Sequence, residues 1–273
     1  MRYRSGFLEN RRGQRLFFAE DVPERASREG PVWIVCSPVL EEKNVSQGAM
    51  VNAARALSAS GARVIRIDYE GHGDSRGETV GLGLDAWIAD IEDTATWARA
   101  TSEGQLSLLG CRAGAILAAR AAAAVKADRV IAWCPVLNGA DYVQDLLRMN
   151  LTTQMAIHQR VVQNREAMVR VLQEGGTINV LGWNLGPALY QSLFAETFAQ
   201  AVAPLTCEVD VLDLVRKKGD PPPPAVAALA APPRVTVRAV TGIQFWIDGN
   251  FLDTQQTELI RATLEISARV STP

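Results

Sequence analysis

Residues 108–115, LLGCRAGA, constrain the fold of this chain more than any other stretch. A short apolar run passes through a Gly-x-Arg-x-Gly turn into an alanine-rich segment reaching residue 125. The first part has the length of a buried strand, the second the composition of a buried core helix. A strand fed through a tight glycine turn into a helix is the unit of a sheet covered by helices on both faces. The sequence repeats that alternation. "PVWIVCSP", "ARVIRIDY", "QLSLLG" and "DRVIAWCP" read as strands. Between the first two, "GAMVNAARALSAS" is helical, with Met50, Ala54 and Leu57 on one face and Gly61 stopping it. Residues 84–99 form a second helix, with an apolar stripe through Leu84, Trp87, Ile88, Ile91, Ala95 and Ala98. "GFLENRRGQRLFFAED" reads as a hairpin turning at residues 10–13.

After residue 137 the alternation stops for about 70 residues. "ADYVQDLLRMNLTTQMAIHQRVVQNREAMVRVLQ" predicts one or two helices, and "EGGTINVLGWNLGPALYQSLFAETF" a small β-like excursion and another helix. The pattern resumes with the strand "CEVDVLDLV", a stiff proline-rich connector, the strand "RVTVRAVTG" and a last helix near 254–270. The expected architecture is an α/β core from residues 1–137 and 206–273, with a mostly parallel eight-stranded sheet. Residues 138–205 are expected to be inserted as a helical cap over its carboxyl edge. Ligands bind at that edge in open α/β sheets.

Composition narrows the function. Hydrophobic residues make up 48% of 273, enough for a substantial core. The net charge of -2 gives no field that would favour nucleic acid or an anionic membrane. The basic run Arg216-Lys217-Lys218 reads as a solvated loop. The first twenty residues lack a signal peptide's apolar core, and no run approaches the ~20 apolar residues of a membrane-spanning helix. Cys36, Cys111, Cys134 and Cys207 lie in or beside strand-like runs, with no C-x-x-C and no Cys/His spacing for zinc. Reduced buried thiols, a cytoplasmic location, and no cofactor or metal are the expectations.

Two motifs carry a resemblance. "DYEGHGDS", residues 68–75, is similar to the D-x-x-G-x-G-x-S loop after the fourth strand of α/β hydrolases. "LLGCRAGA" follows it by one helix and one strand, where that superfamily has its G-x-S-x-G nucleophile elbow. Together they imply the α/β-hydrolase fold. More narrowly, the chain resembles the exosortase A system-associated hydrolases of the second type. The shared stretches are "SPVLEEKN" (37–44), "IDYEGHGDSRG" (67–77), "LLGCRAGA" (108–115), "WCPVLNGADYVQDLLR" (133–148), "GGTINVLGWNLGPAL" (175–189) and "FW" (245–246). That family tends to have arginine at the elbow. The resemblance implies a setting beside bacterial polysaccharide export or protein sorting, with a protein partner from that system, but no particular reaction.

The residues do not supply a serine-hydrolase triad. Arg112 stands at the nucleophile position, and a guanidinium is neither nucleophile nor base. In "AVTGIQFW", Phe245 stands where the base histidine would. Of the two histidines, His72 reads as a turn-holding residue and His158 as a surface residue of the cap. Asp220, in "LVRKKGDPPPP", matches the acid position, but without a histidine it reads rather as a loop-capping Asp before prolines. Cys111 precedes the elbow position and should point away from the pocket; Ser37 is a weaker candidate still.

Arg112 is expected at the pocket mouth, at the amino end of the following helix, where the dipole favours negative charge. Two readings stay open. It pairs internally with Glu41 or Glu42, in the loop after "WIVCSP", or it binds a small anionic or acyl ligand. Leu40, Glu41, Glu42, Arg112 and Ala113, with Asp220, Phe245 and Trp246, are the candidate pocket residues; no catalytic residue is assigned. The function expected is a pseudo-hydrolase or binding protein. The alternative is a hydrolase or acyl transferase with non-standard residues acting on an anionic acyl or glycan ester.

Overall fold

In a computed structural model that describes residues 1–247 and 256–270, eight strands form one sheet. The amino-terminal hairpin pairs β1 (Arg2–Glu9) with β2 (Arg15–Val22) across the turn at 10–13. β3 (Val32–Cys36), β4 (Arg63–Ile67), β5 (Leu106–Cys111) and β6 (Arg129–Trp133) follow. β7 (Ile178–Val180) and β8 (Trp183–Leu185) form a separate small hairpin. β9 (Glu208–Val215) and β10 (Val235–Thr241) complete the large sheet. Its order is β1-β2-β4-β3-β5-β6-β9-β10; only the β1–β2 and β2–β4 pairs are antiparallel.

The described helices are α1 (Glu41–Ala59), α2 (Leu84–Arg99), α3 (Ala113–Ala122), α4 (Gly139–His158), α5 (Arg165–Gln173), α6 (Pro187–Ala195), α7 (Phe198–Val202), α8 (Pro224–Ala227) and α9 (Thr257–Val270). Strand side chains alternate between two apolar layers, as the two-residue period requires. Val32, Ile34 and Cys36 face one layer, while Trp33 and Val35 face the other. In β6, Val130 and Ala132 alternate in the same way with Ile131 and Trp133. The central strands are therefore apolar at nearly every position, as strands covered on both faces must be. α2 and α3 cover the first layer, α1 and α9 the second. Every residue of α3 except Arg120 is buried, which explains its alanine-rich, all-round apolar sequence.

Residues 138–205 leave and re-enter the core at one place. Asn138 bridges to Thr197, the Gly139 amide donates to Glu196 O at 2.8 Å, and the Phe198 amide donates to Leu137 O at 3.0 Å. Asn138, Asn164 and Thr197 cap α4, α5 and α7 with side-chain oxygens, as short polar residues do at helix starts.

Three boundaries differ from the sequence reading. α1 starts at Glu41, seven residues before Gly48, so Glu41 and Glu42 stand in its first turn and not in a loop. Its first two turns carry no apolar stripe to reveal them; Glu42 and Lys43 are buried as ion pairs instead. α3 stops at Ala122, short of 125. The proline-rich connector contains α8 and a 3-10 turn at Ala228–Ala230, because prolines fit a helix's first turn. Residues 254 and 255 of the expected last helix lie outside the described residues. Among the described residues, no helix is long and apolar enough to cross a membrane.

Candidate functional site

The site forms where β3, β5, β6 and β9 end. Arg112, between β5 and α3, has φ 54° and ψ -124°, a strained conformation for a residue with a side chain. Two glycines make the turn possible. A Cβ on Gly110 would come within 2.5 Å of Ala115 Cα, and one on Gly114 would strike the carbonyl oxygens of Cys36 and Ser37. The backbone therefore has the sharp strand-to-helix geometry of a nucleophile elbow, with a guanidinium where the nucleophile would be.

All three nitrogens of that guanidinium donate a hydrogen bond. Nε and Nη2 of Arg112 each donate to Glu42 Oε1 at 3.1 Å, and Nη1 donates to Cys134 O at 3.3 Å. Its carbon lies 4.5 Å from the centre of the Trp246 ring, a cation–π contact. The Tyr142 hydroxyl donates to the other Glu42 oxygen at 3.1 Å. Burial pushes the Glu42 carboxyl above its usual range, opposed by Arg112 and Tyr142. Burial works against the charge of Arg112, but Glu42 and Tyr142 together outweigh it and raise the guanidinium pKa. Of the two glutamates read as possible partners, Glu42 takes the arginine; Glu41 accepts from the Asn44 side chain at 3.0 Å.

Leu40 is held in a similarly strained conformation, φ 54° and ψ -138°. Its amide donates to His72 Nε2 at 3.2 Å, while His72 Nδ1 faces Glu70 O at 3.4 Å. The ring is therefore neutral, with its proton on Nδ1. It packs edge-on to Trp87 and stacks on Trp183, at 4.8 and 4.7 Å between ring centres. His72 thus fastens the segment before α1 to the loop after β4, and both its nitrogens are committed. Burial lowers its pKa from 6.5 to about 4. Between those values the unfolded chain binds the extra proton, so this contribution is complete above pH 6.5 and is lost as pH falls toward 4. Relative to His72→Gln, the native protein should lose about 1 kcal/mol between pH 7.5 and 5.5. Urea unfolding of both proteins across that range checks this; parallel pH profiles would remove the assignment.

A cleft of about 520 Å³ opens beside Arg112, walled by Glu41, Tyr142, Asp145, Met149, Leu181 and Trp246 among others. A second hollow of about 330 Å³ shares Arg112, Tyr142 and Trp246 with the cleft and adds Cys134, Asp141 and Asp213. A shallower hollow lined by arginines lies elsewhere and shares no residue with the cleft. With Arg112 paired to Glu42, and Arg148 to Asp145 at 3.0 Å, the charges left on the walls are the carboxylates of Glu41, Asp141 and Asp213. Burial raises the Asp213 pKa, partly offset by the Leu214 amide and Arg112.

Phe245 is buried under α9 against Trp133, 6.3 Å between ring centres, and of the two candidate aromatics only Trp246 lines the cleft. Ala113 is buried at the first position of α3. Asp220 is exposed and accepts from the Lys217 amide at 3.3 Å; it does not line either hollow beside Arg112. His158 is exposed at the end of α4. Cys111 and Cys134 are buried, and burial raises both thiol pKa values, so neither is a thiolate at neutral pH. The sequence reading missed Tyr142, Asp145, Asp213 and Gln244. Tyr142, Asp145, Met149 and Thr152 follow the three- and four-residue spacing of one face of α4, a signal available in the sequence.

The sequence model of the family described as serine aminopeptidase, S33, matches residues 43–175, just under half of the chain. No curated protein matches the sequence. Solved structures match over nearly the whole chain. Est1E from Butyrivibrio proteoclasticus, with ferulic acid bound, superposes with a TM-score of 0.68 at 16% identity, covering 96% of this chain and 99% of its own. A serine hydrolase without a lid from Xanthomonas campestris gives 0.59 at 20% identity, covering 100% and 98%. The α/β hydrolase GrgF from Penicillium gives 0.62 at 16%, covering 99% and 98%. With the strand order and the elbow already in place, these likenesses establish that the chain has the α/β-hydrolase fold.

Proposed function

We propose that this protein is a binding protein built on a hydrolase scaffold, and that it does not hydrolyse acyl esters by the serine mechanism. The observation that carries the reading is the Arg112–Glu42–Tyr142 cluster at the elbow. It fills the position of the nucleophile with a group that cannot attack, and it neutralises that group internally. Both nitrogens of His72 are occupied, so it is not a base.

The walls favour an uncharged, hydroxyl-rich ligand over an anion. Carboxylates accept hydrogen bonds from paired hydroxyls, Thr152, Thr153 and Gln244 add further polar contacts, and Tyr142 and Trp246 supply aromatic surface. A cleft of about 520 Å³ accommodates a short glycan segment. The motif resemblance to exosortase-associated hydrolases agrees with a glycan ligand and a role beside polysaccharide export. Residues 138–205 serve as the cap, since α4 supplies Tyr142, Asp145 and Thr152.

The test pairs two assays. p-Nitrophenyl acetate should not be turned over above the buffer rate, and a fluorophosphonate should not label the protein. Oligomers of neutral bacterial exopolysaccharide should quench tryptophan fluorescence saturably, and Trp246→Ala should weaken that binding at least about tenfold, as loss of an aromatic anchor does. Ester turnover that disappears in Arg112→Ala would overturn the reading. It would support instead a hydrolase or acyl transferase with non-standard residues, which the retained strain at Arg112 and Leu40 favours.

A further inference from the structure

At the amino ends of β3 and β4, away from the cleft, lies a hollow of about 210 Å³. Four arginines line it, Arg2, Arg4, Arg28 and Arg63, and no acidic side chain does. The register of the hairpin sets Arg4 opposite Glu20 and Arg2 opposite Val22, so the two arginines share one face of the sheet. Glu20 is completely buried and pairs with both Arg4 and Arg63, so one negative charge serves two guanidiniums. Arg28 pairs with Glu103 at 3.2 Å, a carboxylate that does not line the hollow. The Arg2 side chain makes no ion pair or hydrogen bond among the described residues.

Two positive charges are thus left over around one concavity. Arg63 is the most informative of the four. Its Nη1 donates to Ala98 O and Thr101 Oγ1, yet its Nη2 is buried with no hydrogen-bond partner among the described residues. Charges that merely blunt the edge strand β1 would point into water. Arg63 belongs to an interior strand, and its side chain is only 13% exposed. Ser27 and Ser102 hydroxyls also line the hollow.

We propose that this hollow binds a phosphoryl group, either free phosphate or the phosphate of a small monoester. Guanidiniums match phosphate oxygens in planar, paired geometry, and several acting together raise affinity beyond a single contact. The space admits a phosphate with a few further atoms. This site is independent of the glycan cleft, and neither reading rests on the other.

The experiment is isothermal titration of the full chain with inorganic phosphate and with glycerol 3-phosphate, in 150 mM sodium chloride (a roughly physiological ionic strength that screens non-specific charge effects). Saturable binding is expected, weakened at least about tenfold in Arg2→Gln/Arg28→Gln, as loss of two charge-assisted contacts implies. Both side chains are exposed, so the variant should keep its melting temperature. Tighter binding of glycerol 3-phosphate assigns the site to a monoester; equal binding assigns it to free phosphate. Heats no greater than those of added sodium chloride, or equal affinity in the double variant, would overturn the proposal.

Discussion

Replacing Arg112 with alanine should destabilise the protein by about 3 kcal/mol at pH 7, the low end for removing one partner of a buried pair. The low end applies because 18% of the Arg112 side chain and 9% of the Glu42 side chain remain exposed. The variant loses both hydrogen bonds to Glu42, the bond to Cys134 O and the stacking on Trp246. The larger loss is in what stays behind. Glu42 would keep only the Tyr142 hydroxyl for its charge, in surroundings that already raise its pKa. The sign with pH follows. A carboxyl whose folded pKa rises further above its unfolded value binds more protons when folded, so the variant's deficit should grow as pH rises above the ordinary carboxylate range and shrink as pH falls below it. Arg112→Met/Glu42→Leu removes both charges and should recover most of the loss. Urea unfolding of the two variants beside the wild type measures all three statements. A deficit below about 1 kcal/mol at pH 7, with no pH dependence, would mean that the cluster does not hold the elbow.

The same cluster shows what could be read in the sequence and what could not. The strands and the elbow were legible because they rest on local chemistry: apolar runs of fixed length, and glycines where a Cβ cannot fit. Glu42 was legible as one of two possible partners, but the choice between Glu41 and Glu42 depends on where α1 begins. That start is hidden, because the buried side of its first turns is ionic and carries no apolar period. Asp220 stood out through its match to a motif, yet it closes an exposed turn. Asp213 lies seven residues earlier, inside an apolar strand, and reaches the Arg112 region only because β9 lies next to β6 in the sheet. Neighbours across a parallel sheet are set by topology, which no local pattern encodes. His72 reads in the sequence as turn-holding. Its partners, the Leu40 amide and the rings of Trp87 and Trp183, come from three separate segments.

Gly114→Ala should be at least as damaging as loss of Arg112, about 3 kcal/mol or more, the upper range for forcing atoms into a packed interior. The new methyl would strike backbone, the carbonyls of Cys36 and Ser37, with the Ser37 carbonyl carbon at 2.7 Å. A side chain could rotate away, whereas these atoms end β3 and lead into the segment fixed by His72. Relief therefore requires α3 to move off β3, and Arg112 at the head of α3 would move with it. For a domain of this size, with a shift of ~2–4 °C per kcal/mol, the melting temperature should fall by about 6–12 °C. Gly13→Ala is the control. That glycine has a positive φ, +74°, which Gly114, inside α3, does not, and nothing lies within 4 Å of its missing Cβ. It should lose only the left-handed backbone term of about 1 kcal/mol. A loss at Gly114 no larger than that at Gly13 would show that the elbow absorbs the methyl without moving α3 off β3. A larger loss at Gly114 locates it in the contact between the elbow and β3, the contact that makes the turn sharp enough to present Arg112 to the cleft.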